Sequence, residues 1–259
     1  MNTSNVAALR ERFSQYGFFR ALTYDPQWLF SNAMAGPPVL WLAEWLTDRM
    51  KLKSGMRVLD LGCGRATSSI FLAKEFGVTV WAADLWIKPT ENHTLIEDAG
   101  MSRDIFPIYA EARALPFADG YFDAIVCLDA YHYFGTDDLY LGTILKFLRR
   151  GGQLGIVVPS LLEELQGQPP SHLAPCWDWE SASFHSMAWW RRHWEKTGLV
   201  TVETADGLSN GWKLWLEWNQ MLAQHGPEKL HCLVLPETEM LRVDNGRTFG
   251  LTRVVASKN

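Results

Sequence analysis

Two acids and a pair of glycines are the residues of this chain whose types and spacing best predict chemistry. Asp60 precedes Gly62 and Gly64 in the run VLDLGCG (58–64), and Asp84 ends the next hydrophobic run (78–83). Glycines allow a tight turn and let the backbone approach a ligand without intervening side chains. A carboxylate after the second strand of such a unit can accept hydrogen bonds from ribose hydroxyls. The pattern therefore predicts a nucleotide-type pocket at the end of a parallel sheet.

The charge and spacing of this turn favour a nucleoside without phosphate. A dinucleotide fingerprint requires a third glycine at position 67, where Thr67 stands. A pyrophosphate would lie near Asp60, and like charges about 4 Å apart repel by about 4 kcal/mol at an effective dielectric of about 20. Arg65 could offset part of that repulsion. S-adenosylmethionine has no phosphate and carries an ammonium and a sulfonium, which suit an acid here.

Two other interpretations of the same residues stay open. An NAD-linked oxidoreductase would use the turn for a dinucleotide, although Asp60 and Thr67 argue against it. Alternatively, Asp60 and Gly62 form only an Asx-type turn in an enzyme that binds no nucleotide.

Hydrophobic runs alternate with helical patterns around the turn, which predicts an α/β fold with a doubly wound parallel sheet. A further helix starts at Pro37-Pro38. Pro159 is expected to end the fifth strand, and a polar loop to follow at 160–176. The expected strands are 56–61, 78–83, 105–109, 122–128, 152–158, 199–205 and 248–256, and the expected helices are 66–76, 91–100, 137–148, 186–197 and 211–224.

Four segments, in this order, resemble the class I S-adenosylmethionine-dependent methyltransferases, particularly small-molecule enzymes of the type 11 and cyclopropane-synthase-like groups. The run 60–64 resembles their first motif, with Ala66 where many members have another glycine, and Asp84 resembles their ribose-binding acid. The segment AEARALPF (110–117) resembles the one whose acid contacts the adenine amino group. FDAIVCLD (122–129) and GGQL (151–154) resemble the fourth and fifth strands. The resemblance covers roughly residues 37–160.

The resemblance implies a Rossmann-like methyltransferase fold, with seven mostly parallel strands and the last strand antiparallel between its neighbours. It also implies S-adenosyl-L-methionine as the cofactor, with the methionine part over the glycine turn, the ribose at Asp84 and the adenine between Leu85 and the Glu111-Ala112 segment. The cofactor-binding residues that it implies are Asp60, Gly62, Cys63, Gly64, Thr67, Asp84, Leu85, Glu111, Ala112 and Asp129.

The loop DAYHYF (129–134) after the fourth strand would face the methyl group in this fold. It lacks the Asn/Asp-Pro-Pro-Tyr motif of enzymes that methylate amino groups of nucleic acids and proteins. His132 is the best candidate for a general base, because the unperturbed pKa of histidine lies near neutrality. Tyr131 is a second catalytic candidate, and Tyr131 or Tyr133 could orient a substrate. His132 could equally be a structural histidine bonded to a carbonyl. The other six histidines show no metal-ligand spacing, so we predict no metal site.

Tryptophan is concentrated in the second half of the chain. Eight of the thirteen tryptophans are Trp177, Trp179, Trp189, Trp190, Trp194, Trp212, Trp215 and Trp218. An aromatic-walled substrate pocket would attract a cation, such as an amine substrate, by about 0.5–2 kcal/mol per ring. Packing of an accessory layer or a dimer interface explains most single tryptophans better, but we expect at least one of them to touch substrate.

Length and composition narrow the class of protein. The 259 residues suffice for one domain (1–259), which we divide into an N-terminal helical cap (1–52), a cofactor-binding core (53–160) and a C-terminal part with a Trp-rich insertion and final strands (161–259). A net charge of −5 gives no reason to bind nucleic acid. The four cysteines form no CxxC pair, which is typical of the reducing cytoplasm. No apolar run predicts a signal peptide or membrane insertion, and a homodimer is possible.

These observations lead to one functional hypothesis and one alternative from a different class. The chain is expected to be a cytoplasmic methyltransferase that uses S-adenosyl-L-methionine and a small-molecule acceptor. The alternative is a non-catalytic module on the same fold that binds a nucleoside or a partner.

Overall fold

The computed structural model describes residues 3–259, and side chains from residue 9 onward. Its strands are β1 (Arg57–Leu61), β2 (Thr79–Asp84), β3 (Ile105–Tyr109), β4 (Phe122–Leu128), β5 (Leu148–Leu161), β6 (Val200–Gly207) and β7 (Phe249–Lys258). They form one sheet in the order β3-β2-β1-β4-β5-β7-β6. Strands β1 to β5 are parallel, and β7 lies antiparallel between β5 and β6. The predicted α/β fold with an inserted antiparallel last strand is confirmed.

The helices of the described residues are α1 (Thr3–Ser14), α2 (Pro26–Ser31), α3 (Val39–Thr47), α4 (Thr67–Phe76), α5 (Pro89–Asp98), α6 (Tyr140–Leu145), α7 (Met187–Glu195), α8 (Gly211–His225) and α9 (His231–Asp244). Helix α9 was not predicted, and α6 is shorter than the expected 137–148. Across residues 3–259, no helix is both long enough and apolar enough to cross a membrane. The first two residues of the predicted cap (1–52) lie outside the described part.

Strand β5 also runs past Pro159, contrary to the sequence expectation. Pro159 pairs with Leu251 of β7, and the strand ends at Leu161. Proline lacks the backbone N–H that a strand needs to hydrogen-bond to neighbouring strands on both sides. The last pair between β4 and β5 joins Leu128 to Val157, so by Pro159 the strand has a neighbour on one side only. A proline is tolerated in such an edge-like position.

Buried side chains cover both faces of the sheet. One face packs against α3, α4, α5 and α8, with α9 packed on α8, and the other face packs against α6 and α7. The strands are correspondingly apolar on both faces, as is typical of parallel sheets. This two-layer cover leaves the C-terminal ends of β1, β2 and β4 together at one edge, where open α/β sheets bind ligands.

The junction between α9 and β7 depends on a buried carboxylate. Asp244 is fully buried, and its Oδ2 accepts hydrogen bonds of 3.0 Å from the backbone N–H groups of Thr248 and Phe249. Its Oδ1 lies 3.1 Å from Nε2 of His172. Burial alone would raise the pKa of Asp244, but these hydrogen bonds outweigh it and lower the pKa below its usual value.

Replacing Asp244 by alanine should therefore destabilise the protein. Each buried N–H left without an acceptor costs about 1–3 kcal/mol of unfolding free energy. Because the folded-state pKa is lowered, the carboxylate contributes stability above the unfolded-state pKa and loses it as the pH falls through the folded-state pKa. Urea unfolding at neutral and acidic pH, followed by tryptophan fluorescence, measures both effects. Glu239→Ala, at an exposed position of the same helix, is the control, and an equal loss in both variants would contradict the assignment.

Candidate active site

A cavity of about 630 Å³ lies at the C-terminal edge of β1, β2 and β4. Residues 33–37, before α3, and residues of α8 and α9 form its opposite wall. Of the predicted cofactor-binding residues, those that line it are Gly62, Cys63, Gly64, Thr67, Asp84, Leu85, Glu111, Ala112 and Asp129. His132 lines it too. The structure thus brings together most of the residues that the sequence singled out, although their roles remain predictions.

The glycine turn passes very close to the loop after β4. A Cβ on Gly62 would lie 2.4 Å from the Cβ of Ala130, and Gly62 has a φ of 71°. Both facts require glycine, because a side chain would push the two loops apart and strain the backbone. Ala66 also adopts a left-handed conformation, with a φ of 56°, just before α4 begins. The chain therefore tolerates alanine where related sequences often have glycine.

The carboxylate of Asp84 binds three backbone N–H groups from two loops. Its Oδ2 accepts a hydrogen bond of 2.8 Å from Gly64, and its Oδ1 accepts bonds of 2.7 and 2.8 Å from Trp86 and Ile87. Each carboxylate oxygen has about two acceptor sites. Asp84 lines the cavity while only 8% exposed. It thus holds the glycine turn against β2 and keeps acceptor capacity for a ligand hydroxyl.

Asp60 does not face the cavity, which corrects the sequence expectation that its carboxylate meets the ligand directly. It is fully buried, and its Oδ2 accepts hydrogen bonds of 2.6 Å from the hydroxyls of Ser68 and Ser69 on α4. Burial raises the pKa of Asp60 to about 6, although both serine hydrogen bonds lower it. The position near the end of β1 therefore places the acid behind the glycine turn, where α4 covers it.

The end of the cavity assigned to adenine contains a short turn held by Glu111. Its Oε2 accepts a hydrogen bond of 2.8 Å from the N–H of Arg113, and its Oε1 pairs with the Arg113 guanidinium at 3.1 Å. Leu85, across the opening, is exposed. Leu85 and Ala112 both line the cavity, and the place of an adenine ring between them stays a prediction.

Beyond the glycine turn, the cavity contains His132 and Tyr133. His132 is 3% exposed, and its Nδ1 has no hydrogen-bond partner among the described residues. Its ring packs 4.1 Å from that of Tyr133 and 5.4 Å from that of Phe184. Burial lowers the pKa of His132 to about 3, which makes the imidazole neutral and only a weak base. It is better suited to accept a hydrogen bond than to remove a proton.

Tyr131 is placed away from the cavity, which contradicts its predicted contact with the substrate. It begins a single 3₁₀ turn (Tyr131–Tyr133) and is fully buried on the other side of it. Its ring packs between those of Trp190 and Trp194 at 5.8 and 5.7 Å. Successive residues of such a tight turn point in different directions, so Tyr131 belongs to the core while its two successors line the cavity.

Some tryptophans of the Trp-rich region line the cavity, and the others pack elsewhere in the protein. Trp215 and Trp218 on α8 line the cavity. Trp190 and Trp194 are core residues, Trp189 stacks between the rings of His185 and His193, and Trp177 stacks on Phe249. Trp212 packs near Gly246, and Trp179 is largely exposed. Packing therefore explains most of the eight, and the contact of any of them with a substrate remains a prediction.

Sequence reasoning missed the carboxyl groups of the far wall. Glu237 on α9 lines the cavity, as do Asp178 and Glu180 before α7. A helix with an internal proline, Pro236, gave little helical signal, so α9 and its acid were not predicted. Arg65 also lines the cavity, and its Nε has no hydrogen-bond partner. Within the described residues, no group of acidic, histidine or cysteine side chains has the arrangement of a metal site.

The low pKa of His132 is directly testable by NMR. Because burial holds this pKa near 3, the Hε1 signal of His132 should not shift between pH 5 and pH 8. The same titration of His132→Gln assigns the signal by its loss, and unchanged signals from the other histidines confirm that the variant is folded. A transition near pH 6.5 for this signal would contradict the buried, neutral imidazole.

Comparison with known proteins gives the family context for this site. Residues 58–152 match a family model described as a methyltransferase domain. The chain is 27% identical to the 2-methyl-6-phytyl-1,4-hydroquinone methyltransferase of Synechocystis over 68% of this chain and 57% of that protein. It is 31% identical to the 27-O-demethylrifamycin SV methyltransferase of Amycolatopsis mediterranei over 46% of each. The chain spans about half the length of these curated relatives.

Solved structures agree in fold. A putative sarcosine dimethylglycine methyltransferase from Galdieria sulphuraria superposes with a TM-score of 0.67 over 93% of this chain and 97% of that chain, at 19% identity. At a sequence identity this low, the superposition shows only that the two proteins share a fold. Together, the matched domain, the curated relatives and the strand order support a similarity of residues 58–152 and the surrounding sheet to class I S-adenosylmethionine-dependent methyltransferases.

Proposed function

We propose that this protein transfers a methyl group from S-adenosylmethionine to a small-molecule acceptor. One observation carries the proposal: the cavity has a glycine turn and the Asp84 carboxylate at one end and a separate aromatic and acidic space at the other. This is the layout expected when a nucleoside and a second small molecule must meet. The family supplies the reaction class, and the cavity supplies the reason to expect a small acceptor.

The residues at the nucleoside end fit S-adenosylmethionine. Asp84 retains acceptor sites for ribose hydroxyls, and the glycine turn offers backbone without side chains to the methionine part. The unpartnered Nε of Arg65 is a donor for the methionine carboxylate. We place the adenine between Leu85 and the Glu111-Ala112 turn. When bound, the cofactor supplies a methyl group activated by its sulfonium.

Asp60 supports this site from behind rather than by contact. Its carboxylate lies under the turn, bonded to Ser68 and Ser69, and it is partly ionised near neutral pH because its pKa is about 6. A buried negative charge close to the turn favours a cationic ligand in front of it. The same charge opposes a phosphate in that position.

The chain's own contribution to the reaction is mainly alignment. His132 offers a neutral nitrogen lone pair and Tyr133 a ring at the acceptor end, and neither is a strong base. Holding a nucleophile in line with a reactive methyl group can account for much of the rate of such a reaction. No observation favours the non-catalytic alternative over this reading.

The setting of the protein is part of the proposal. Four unpaired cysteines, two of them buried, support the reducing cytoplasm as its location. The net charge of −5 and the absence of unpaired basic clusters in the cavity support a small-molecule partner rather than a nucleic acid. A homodimer remains a prediction.

Calorimetry with S-adenosylhomocysteine tests the proposal. The wild-type protein should bind it, and Asp84→Ala should weaken binding by about tenfold to a hundredfold, the effect of losing hydrogen bonds to a charged group. Asp123→Ala is the matched control, because Asp123 is a hydrogen-bonded carboxylate at the opposite end of the same sheet.

The control should keep wild-type affinity for S-adenosylhomocysteine even if it unfolds more easily. Absence of binding to the wild-type protein at millimolar ligand would remove the proposed function. Equal affinities of Asp84→Ala and the wild type would remove the assignment of Asp84.

A further inference from the structure

The far half of the cavity is acidic without a matching positive charge. Its lining includes the carboxyl groups of Asp178, Glu180 and Glu237, and the carboxyl group of Asp129 borders it beside the glycine turn. The lining contains no lysine, and its two arginines, Arg65 and Arg113, lie at the nucleoside end beside Glu91 and Glu111. Among side chains from residue 9 onward, the carboxyl groups of the far half therefore lack a cation to neutralise them.

Glu237 is held so that one of its oxygens is free. Its Oε2 accepts three hydrogen bonds, from Nδ2 of Asn219 at 2.9 Å, from the backbone N–H of Gly36 at 3.2 Å and from Nε1 of Trp215 at 3.3 Å. Its Oε1 has no hydrogen-bond partner among the described residues. Three donors on one oxygen orient the carboxyl group and leave the other oxygen available to a ligand.

Asp129 lies on the other side of the same glycine. Its Oδ2 would be only 2.1 Å from a Cβ on Gly36, so the carboxyl group packs directly against the backbone that also contacts Glu237. Asp129 has a left-handed backbone, with a φ of 53°, and its side chain accepts no hydrogen bond from the described residues. A strained backbone that presents an unpartnered carboxyl group is more typical of a binding residue than of a structural one.

Aromatic rings and an unpartnered nitrogen complete this half of the cavity. Trp215, Trp218, Phe184 and Tyr133 line it. His132 is 3% exposed and lines it as well, with a buried Nδ1 that has no partner. Carboxylates combined with ring faces are the chemistry by which proteins recognise ammonium groups, since both attract a cation and the rings also exclude water.

We propose that the methyl acceptor is an amine that enters the cavity as an ammonium cation, recognised by Glu237 and Asp129 and by the surrounding rings. This inference rests on the proposed function and names the substrate class of that site. An anionic acceptor, such as a phosphate ester or a carboxylate, would meet like charge without a compensating arginine or lysine. A neutral alcohol would leave the acidic pair uncompensated.

Binding of size-matched probes tests the charge preference. Phenethylamine, 2-phenylethanol and phenylacetate share a ring and a short chain, and differ mainly in a positive, neutral or negative end group. Calorimetric titration of the protein saturated with S-adenosylhomocysteine should give an affinity for phenethylamine about ten- to a hundredfold higher than for 2-phenylethanol, and no binding of phenylacetate.

Two variants attribute the preference to the carboxyl groups. Glu237→Gln keeps an oxygen for the three donors but removes the charge, and Asp129→Asn keeps a residue type that tolerates a left-handed backbone. Both should lose most of the preference for the amine, and Glu237→Gln, which is not among the predicted cofactor-binding residues, should bind S-adenosylhomocysteine as the wild type does. Glu239→Gln, an exposed position on α9, is the matched control and should behave like the wild type.

The outcomes separate this inference from the proposed function. If S-adenosylhomocysteine does not bind, the proposed function fails. If it binds but the alcohol or phenylacetate binds as tightly as the amine, or the amine does not bind at millimolar concentration, the inference is overturned and the proposed function is untouched. A preference for the amine that survives both substitutions would also overturn the assignment to Glu237 and Asp129.

Discussion

The hydrogen bonds from three backbone N–H groups to the Asp84 carboxylate are the interaction on which the site depends. Gly64 belongs to the turn after β1, and Trp86 and Ile87 belong to the loop after β2. Unsatisfied backbone donors at a half-closed site are costly, so these bonds hold both loops in one arrangement. The cavity exists because this carboxylate joins the turn to the strand beside it and still faces the opening.

Carboxyl groups surround the cavity on several sides, and each group contributes in a different way. Asp60 lies behind the glycine turn, Asp84 and Asp129 lie beside the turn, and Glu237 lies in the far half. Burial raises the pKa of both Asp129 and Glu237, and a neighbouring acid raises each pKa further. Their ionisation is costly in an empty cavity and becomes favourable beside a cation. The electrostatics therefore suit a cationic nucleoside and a cationic acceptor.

Local patterns in the sequence predicted most of the sheet and much of the nucleoside end. The strand patterns, the glycine turn and Asp84 are each encoded by adjacent residues, and the antiparallel insertion of the last strand followed from the family resemblance. The direction of a single side chain is harder to predict. Asp60 could be placed at the end of β1 but not beneath α4, because the serine hydroxyls that hold it come from the following helix. Tyr131 and His132 are neighbours in sequence, yet a tight turn sends one to the core and the other to the cavity.

The grouping of Gly36, Asp129 and Glu237 could not be predicted, since it is assembled from distant parts of the chain. Gly36 precedes α3, Asp129 follows β4 and Glu237 lies on α9, so their proximity depends on tertiary packing alone. The helix that carries Glu237 contains a proline and has weak amphipathic character. Of the residues on the α8 and α9 wall of the cavity, the sequence singled out only Trp215 and Trp218, because tryptophan is concentrated in the second half of the chain.

A crystal structure with S-adenosylhomocysteine tests the central role of Asp84 most directly. The account predicts that the ribose hydroxyls lie within hydrogen-bond distance of the Asp84 carboxylate while Gly64, Trp86 and Ile87 still donate to it. A nucleoside bound elsewhere, or an Asp84 side chain that has left its three donors to reach the sugar, would contradict it.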